Sequence, residues 1–207
     1  MTNITRVTEA YINNHPTIRQ AIRANLVNYS KLSRKILQET GMKSKDAVLI
    51  ACRRYYNKTK GQAQSTDIIS LLKGTKLSIR DKIAVVILEP DVKYQGLLNL
   101  QKEADESNET VHIMKGANAV TIIVTEDFLG LVKRIFGQNI IKVSTGLVEI
   151  MMKSPARLEQ VPGVMAYIYT LFGENNVNII ETISCWTDTI MVIKKEELSK
   201  TMGFLNF

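Results

Sequence analysis

The sequence predicts an α+β chain: an N-terminal helical domain over residues 1–76, then two tandem βαββαβ modules over residues 77–145 and 146–207. Three observations lead there. Apolar residues recur at helical spacing through the first third, and the period changes from Lys82 onward. The second part then repeats its own pattern. Charge divides in the same region: residues 1–80 hold fifteen Lys/Arg against four acids, and residues 81–207 hold twelve against sixteen.

The helices come first. Val7, Ala10 and Tyr11 lie on one helical face, and His15-Pro16 breaks it. Pro16 suits the first position of a second helix, which Ile18, Ala21 and Ile22 make amphipathic. Residues 25–29 form a connection. Ser30 is the expected N-cap of a third helix carrying Leu32, Ile36 and Leu37, with Gly41 as its stop. Ser44 caps a fourth helix, Asp46 favours its first turn, and Ala47, Val48, Ala51 and Tyr55 line its inner face. The polar stretch 57–64 reads as a loop, a frayed helix end or a linker. A short helix spans residues 66–73.

The modules follow. Residues 83–88 form a buried strand, 94–104 a helix, 111–114 and 119–124 two strands, 126–136 a helix and 139–143 a strand. That order, βαββαβ, belongs to ferredoxin-like folds. It begins again with a strand at 147–152, a helix at 162–172 opening on Pro162, a strand at 176–184 and a turn at Thr187-Asp188. A strand at 189–193 and a short helix at 196–202 come next, and a last strand stub is expected at 204–207. Thr121-Ile122-Ile123-Val124 and Thr189-Ile190-Met191-Val192 precede the corresponding acidic helix starts.

Several function classes find no support. The longest apolar runs are too short to span a bilayer, and residues 1–8 lack an apolar signal-type run, so no membrane partner and a cytoplasmic location are expected. Cys52 and Cys185 are far apart and have no neighbouring Cys or His ligand, which points to neither a disulfide framework nor a metal site. His15 and His112 have no patterned nucleophile or carboxylate partner, and no phosphate-binding glycine run occurs. Glu126-Asp127 and Glu196-Glu197 open helices, where acids favour the dipole. No catalytic residue, cofactor or enzyme activity is expected.

The stretch Gln160-Val161-Pro162-Gly163-Val164, followed by Leu171 and by Glu174-Asn175-Asn176-Val177-Asn178-Ile179, resembles the ACT-domain signature. Lys142-Val143-Ser144, leading directly into the next first strand, is similar to the paired regulatory domains of aspartokinases. The first module departs from the signature: its turn is Glu89-Pro90-Asp91, with Gly96 displaced. The resemblance implies an amino-acid effector and a homodimer or higher homo-oligomer. The implied ligand residues are Glu159, Gln160, Val161, Pro162, Gly163, Val164, Asn176, Val177, Asn178 and Ile179. A carboxylate would dock at the first N–H groups of the helix, and the asparagine side chains would hold an ammonium or amide.

The basic half resembles a helix-turn-helix, with residues 18–24 as the first helix and 30–38 as the second. The whole is then similar to archaeal ACT-containing regulators of amino-acid metabolism. DNA contacts are expected from Arg19 and Arg23; from Tyr29, Ser30, Lys31, Ser33, Arg34 and Lys35; and from Arg53, Arg54, Lys58 and Lys60. The alternatives are a regulatory subunit whose helices dock on an amino-acid biosynthetic enzyme, and modules that serve oligomerisation only.

Overall fold

The computed structural model describes residues 4–60 and 65–207. They form two compact units that divide between Thr66 and Asp67.

The first unit holds α1 (Ile4–Asn13), α2 (Pro16–Arg23), α3 (Tyr29–Thr40) and α4 (Lys45–Thr59). Tyr11, Ile12, Ile22, Leu32, Ile36, Val48, Cys52 and Tyr55, from all four helices, make one core. Pro16 opens α2, where its missing N–H costs no hydrogen bond. Gly41, at φ +70°, ends α3, and the Ser44 hydroxyl accepts from Ala47 N–H to cap α4. The cap of α3 is Asn28, whose Oδ1 accepts from Lys31 N–H at 3.0 Å, and the expected cap Ser30 lies inside the helix. The two residues share the same chemistry, and spacing alone does not choose between them. The helix α4 runs through Asn57 to Thr59; the rest of the expected polar stretch, residues 61–64, lies outside the described residues.

In the second unit six strands form one antiparallel sheet: β1 (Lys76–Leu88), β2 (His112–Lys115), β3 (Val120–Thr125), β4 (Ile140–Lys153), β5 (Glu181–Cys185) and β6 (Asp188–Lys194). Their order is β2-β3-β1-β4-β6-β5. The strands β1 and β4 are long, and each serves both repeats. The second half of β1 pairs with β3 and with the first half of β4, which completes the first βαββαβ unit. The second half of β4 pairs with β6 on one side and with Lys76–Arg80 of β1 on the other. The fourth strand of the second repeat is therefore supplied from upstream of the first. No strand forms at 204–207: α9 (Leu198–Phe204) runs to Phe204.

A pseudo-twofold passes near the Ile83–Leu147 pair. It matches Arg80 with Ser144, Val85 with Glu149 and His112 with Glu181, as their ladder partners show. The ladder register shifts between Arg80 and Ile83. At this irregularity Lys82 (φ +54°) and, on the facing strand, Gly146 (φ +68°) occupy the left-handed region.

Helices cover one face. Helices α6 (Tyr94–Glu106) and α7 (Leu129–Phe136) close a core with Val86, Leu88, Ile122 and Val124. Helix α8 (Val164–Glu174) closes a second core over Val148, Ile150 and Met191. Ile68, Leu71 and Leu72 of α5 (Ser65–Leu72) pack in that second core. The opposite face has its own buried cluster of Ile83, Val85, Ile123, Leu147 and Val192.

Two further expectations change. The helix α8 starts at Val164 after Gly163 at φ +92°, so Pro162 lies in the preceding turn. The strand expected from residue 176 starts at Glu181. Asn176, at φ +50°, ends α8 instead: its N–H bonds to Gly173 O and Val177 N–H to Phe172 O. This is a Schellman motif with asparagine in the left-handed position.

Candidate functional site

The sheet unit carries, among its concavities, a larger and a smaller one. The larger, about 860 Å³, is lined by Lys142, Ser144, Thr145, Gly146 and Leu147 of β4, by Asn178, Ile179 and Ile180 ahead of β5, and by Lys194, Lys195 and Glu196 at the end of β6. It sits where β4 is bent. The smaller, about 480 Å³, includes Leu158, Glu159, Val161, Gly163, Val164, Met165 and Trp186 in its lining.

The residues that the sequence joined in one ligand site are divided between them. Glu159, Val161, Gly163 and Val164 line the smaller cavity, and Asn178 and Ile179 line the larger. These groups flank opposite ends of α8, whose eleven residues span about 16 Å. Gln160 and Pro162 are exposed in the turn before α8. Asn176 has its helix-ending role, and Val177 is buried in the core below α8. One chain therefore does not bring the ten residues together.

The larger cavity is cationic. Lysines 142, 194 and 195 face one lining carboxylate. Lys194 Nζ lies 3.5 Å from Glu196 Oε1, and Lys195 Nζ lies 2.5 Å from Asp81 Oδ2. The Lys195 hydrogen bond, with one from Lys82 N–H, holds the Asp81 carboxyl below its ordinary value. Gly146 N–H donates to Glu126 Oε1 at 2.8 Å. Burial pushes the Glu181 carboxyl up, and Lys142 opposes the shift. Lysine, hydroxyl and amide donors at this place can bind carboxylate or phosphate oxygens. Sequence reasoning missed Lys142, Ser144 and Lys194 as one group because Lys142 and Ser144 lie on β4 and Lys194 on β6, about fifty residues on, and only the fold sets them beside Asn178.

On the face opposite the helices, Glu149 is fully buried. Arg80 Nε and Nη2 donate to its two oxygens at 2.9 and 2.7 Å. His112 Nε2 lies 3.2 Å from Glu149 Oε2 and 3.1 Å from Arg80 Nη2. That single nitrogen accepts from arginine or donates to the carboxylate, according to its tautomer. Burial raises the Glu149 carboxyl, but bonds from His112 and Arg80 outweigh it, and the net direction is down. Three strand spacings separate β2 from β4 in a flat sheet, about 14 Å, so this contact needs a strongly curved sheet. Glu149, Arg80 and His112 were not singled out together in the sequence, and no local spacing links them.

In the helical unit Lys31, Arg34, Lys35, Arg53, Arg54, Lys58 and Lys60 are exposed. Arg53 lies near Tyr29 at the start of α3; burial raises the Tyr29 hydroxyl and Arg53 opposes it. Lys35 pairs with Glu39 at 2.6 Å, and Lys58 lies 3.9 Å from Glu9. Arg19, Arg23, Tyr29 and Ser30 are half-buried. Ser33 does not reach the surface: it is fully buried, and its hydroxyl donates to Ser30 O at 3.1 Å, because it falls on the core-facing side of α3. Cys52 is buried with its thiol pushed up to about 11 by desolvation, and Cys185 is exposed. Among the described residues no group of His, Cys, Asp and Glu could hold a metal ion, and no helix is long and apolar enough to cross a membrane.

No protein-family model and no curated protein matches the sequence. Solved structures do match. Clostridium acetobutylicum aspartate kinase aligns with a TM-score of 0.51 at 13% identity, over 62% of this chain and 33% of that one. The structure of aspartokinase alpha and beta subunits aligns with a TM-score of 0.50 at 13% identity, over 62% of this chain and 93% of that one. The regulatory subunit of aspartate kinase from Thermus flavus gives 0.49 at 14% identity, over 65% and 96%. The chain thus spans a third of the length of the Clostridium enzyme. The likeness is one of fold: a mixed α/β unit with an antiparallel sheet.

Proposed function

We propose that the chain is an amino-acid-responsive regulator, with an effector held by the sheet unit and the response delivered by the basic helices. The observation that carries this reading is the larger cavity. It combines lysine, hydroxyl and amide groups at the bend in β4 with Asn178 and Ile179 of the ACT-like signature. An amino-acid carboxylate suits the lysines, and Asn178 suits its ammonium through the side-chain oxygen. The fold shared with aspartokinase structures supports a regulatory reading without naming the effector.

The output we propose is DNA binding by a homodimer. Residues 4–60 carry twelve Lys/Arg and three acids, and Lys31, Arg34, Arg53, Arg54, Lys58 and Lys60 are exposed on α3, on α4 and just beyond. Phosphate contacts by such cations give affinity that falls steeply with salt. A second reading has its own observation: Leu26 and Ile50 are 81% and 49% exposed in the same unit. Apolar side chains between cations suit a protein surface, such as a biosynthetic enzyme under feedback control.

Differential scanning fluorimetry against the twenty amino acids tests the sensor reading. A concentration-dependent rise in melting temperature with one of them, lost in Asn178→Ala, is the expected result. A flat response from folded protein sinks it. Fluorescence anisotropy on a labelled duplex from 50 to 300 mM salt separates the two outputs: DNA binding loses affinity along a steep log–log line, and its absence at low salt leaves the protein partner.

A further inference from the structure

We propose that the larger cavity takes, per chain, one small molecule bearing more than one negative charge, and that its counterpart in the first repeat is closed by the protein's own side chains. The proposal rests on the effector reading above and narrows it to a ligand class and a stoichiometry.

The pseudo-twofold supplies the argument. Around the cavity stand Lys142, Ser144, Thr145, Lys194 and Lys195. Their counterparts in the first repeat are Ser78, Arg80, Asp81, Thr125 and Glu126: ladder partners fix Ser78, Arg80 and Thr125, and Asp81 and Glu126 follow as the next residues along the chain. All three lysines are replaced there by neutral or acidic residues. Where the cavity has the short side chain of Ser144, the first repeat has Arg80, which reaches across to Glu149 and His112. Where the first repeat has apolar Val85, the second has Glu149. One position of the pair is thus filled by an internal ion pair, and the other is open and lysine-lined.

The open position favours more than one negative charge. Lys142 and Ser144 sit two residues apart on β4, opposite Ile87 and Val85, and so share one face. Lys142 makes no direct ion pair among the described residues. Lys194 and Lys195 approach from the other side, each holding one exposed carboxylate. Exposed pairs of this kind contribute little, so an incoming anion can take over either lysine. A single carboxylate satisfies one side of the cavity; a dicarboxylate or a phosphate group can engage both. An acidic amino acid and a phosphorylated metabolite share this chemistry.

Isothermal titration of the full chain with succinate, L-aspartate, inorganic phosphate and L-lysine tests it. The expected result is binding of at least one anion at one per chain, weakened tenfold or more by Lys142→Gln and retained by Lys142→Arg, with both variants keeping the wild-type melt. Aspartate or succinate without phosphate identifies a dicarboxylate source; phosphate alone identifies a phosphoryl source. Two equivalents per chain overturn the closed counterpart. L-Lysine bound in preference to every anion, and lost in Asn178→Ala, overturns the anionic class and leaves the effector reading standing. No binding of any anion overturns the proposal, and a flat screen with all twenty amino acids then removes the effector reading as well.

Discussion

Glu149 puts a full carboxylate where no water reaches it, and two neighbours make that tolerable. Removing one partner of such a group leaves an uncompensated buried charge, so Arg80→Met should destabilise the sheet unit by about 3–5 kcal/mol in urea unfolding followed by circular dichroism. The pH dependence has a definite sign. The folded carboxyl lies below its ordinary value, so its stabilisation is complete above the unfolded value of about 4.3 and is lost as pH falls through the folded one. Wild type should weaken between pH 5 and 3 more than Glu149→Gln does; equal slopes would remove Glu149 as a source of acid lability. Three asparagines carry a different lesson. Asn25, Asn108 and Asn176 each hold positive φ at a helix end, with the paired bonds of a Schellman motif. In the sequence Asn176 has the look of a ligand residue, because an asparagine after a helix fits recognition and left-handed backbone equally well. Its φ is invisible in the letters.

Elements were legible where period and punctuation agreed. Pro16, Gly41 and Ser44 mark helix limits in the sequence and in the structure. The cap of α3 was ambiguous, and a pair of variants resolves it: Asn28→Ala should cost about 1 kcal/mol in the helical unit and Ser30→Ala only a few tenths. Equal costs would move the cap back to Ser30. The long strands were not legible. Residues 76–80 lack an apolar run, because only Leu77 turns even partly to the helix-packed core. The bend was hidden for a similar reason. It rests on Lys82 and Gly146 in left-handed backbone, and lysine gives no hint of that conformation. Gly146→Ala meets no atom within 4 Å, so its cost should be the backbone alone, about 1–2 kcal/mol. Gly96 is the reverse case: a Cβ there would stand 2.8 Å from Phe136 Cε1, where α6 crosses α7.

At the scale of the whole molecule, repetition was legible and its wiring was not. The letters show two copies of one pattern in series, and a series suggests two sheets, each finished by its own last strand. The chain instead ends the second repeat in α9 and closes it with Lys76–Arg80. Sequence order carries no information about which of two equivalent edges a strand will join. The consequence can be tested with fragments. A fragment of residues 65–207 keeps α5 and both long strands, and should unfold in one cooperative transition. A fragment of residues 81–207 contains every element expected of two repeats in series, yet it lacks Arg80 and the strand paired with residues 149–153. It loses Ile68, Leu71 and Leu72 from the core as well. It should be compact at best, bind a hydrophobic dye and show no sharp melt. Residues 73–207, which restore the strand without α5, should recover cooperativity at a lower midpoint, because Glu149 regains its partner while the apolar burial stays missing. If residues 81–207 alone melted as sharply as residues 65–207, the second repeat would not depend on its borrowed strand, and the shared long strands would be a convenience of packing rather than the basis of the fold.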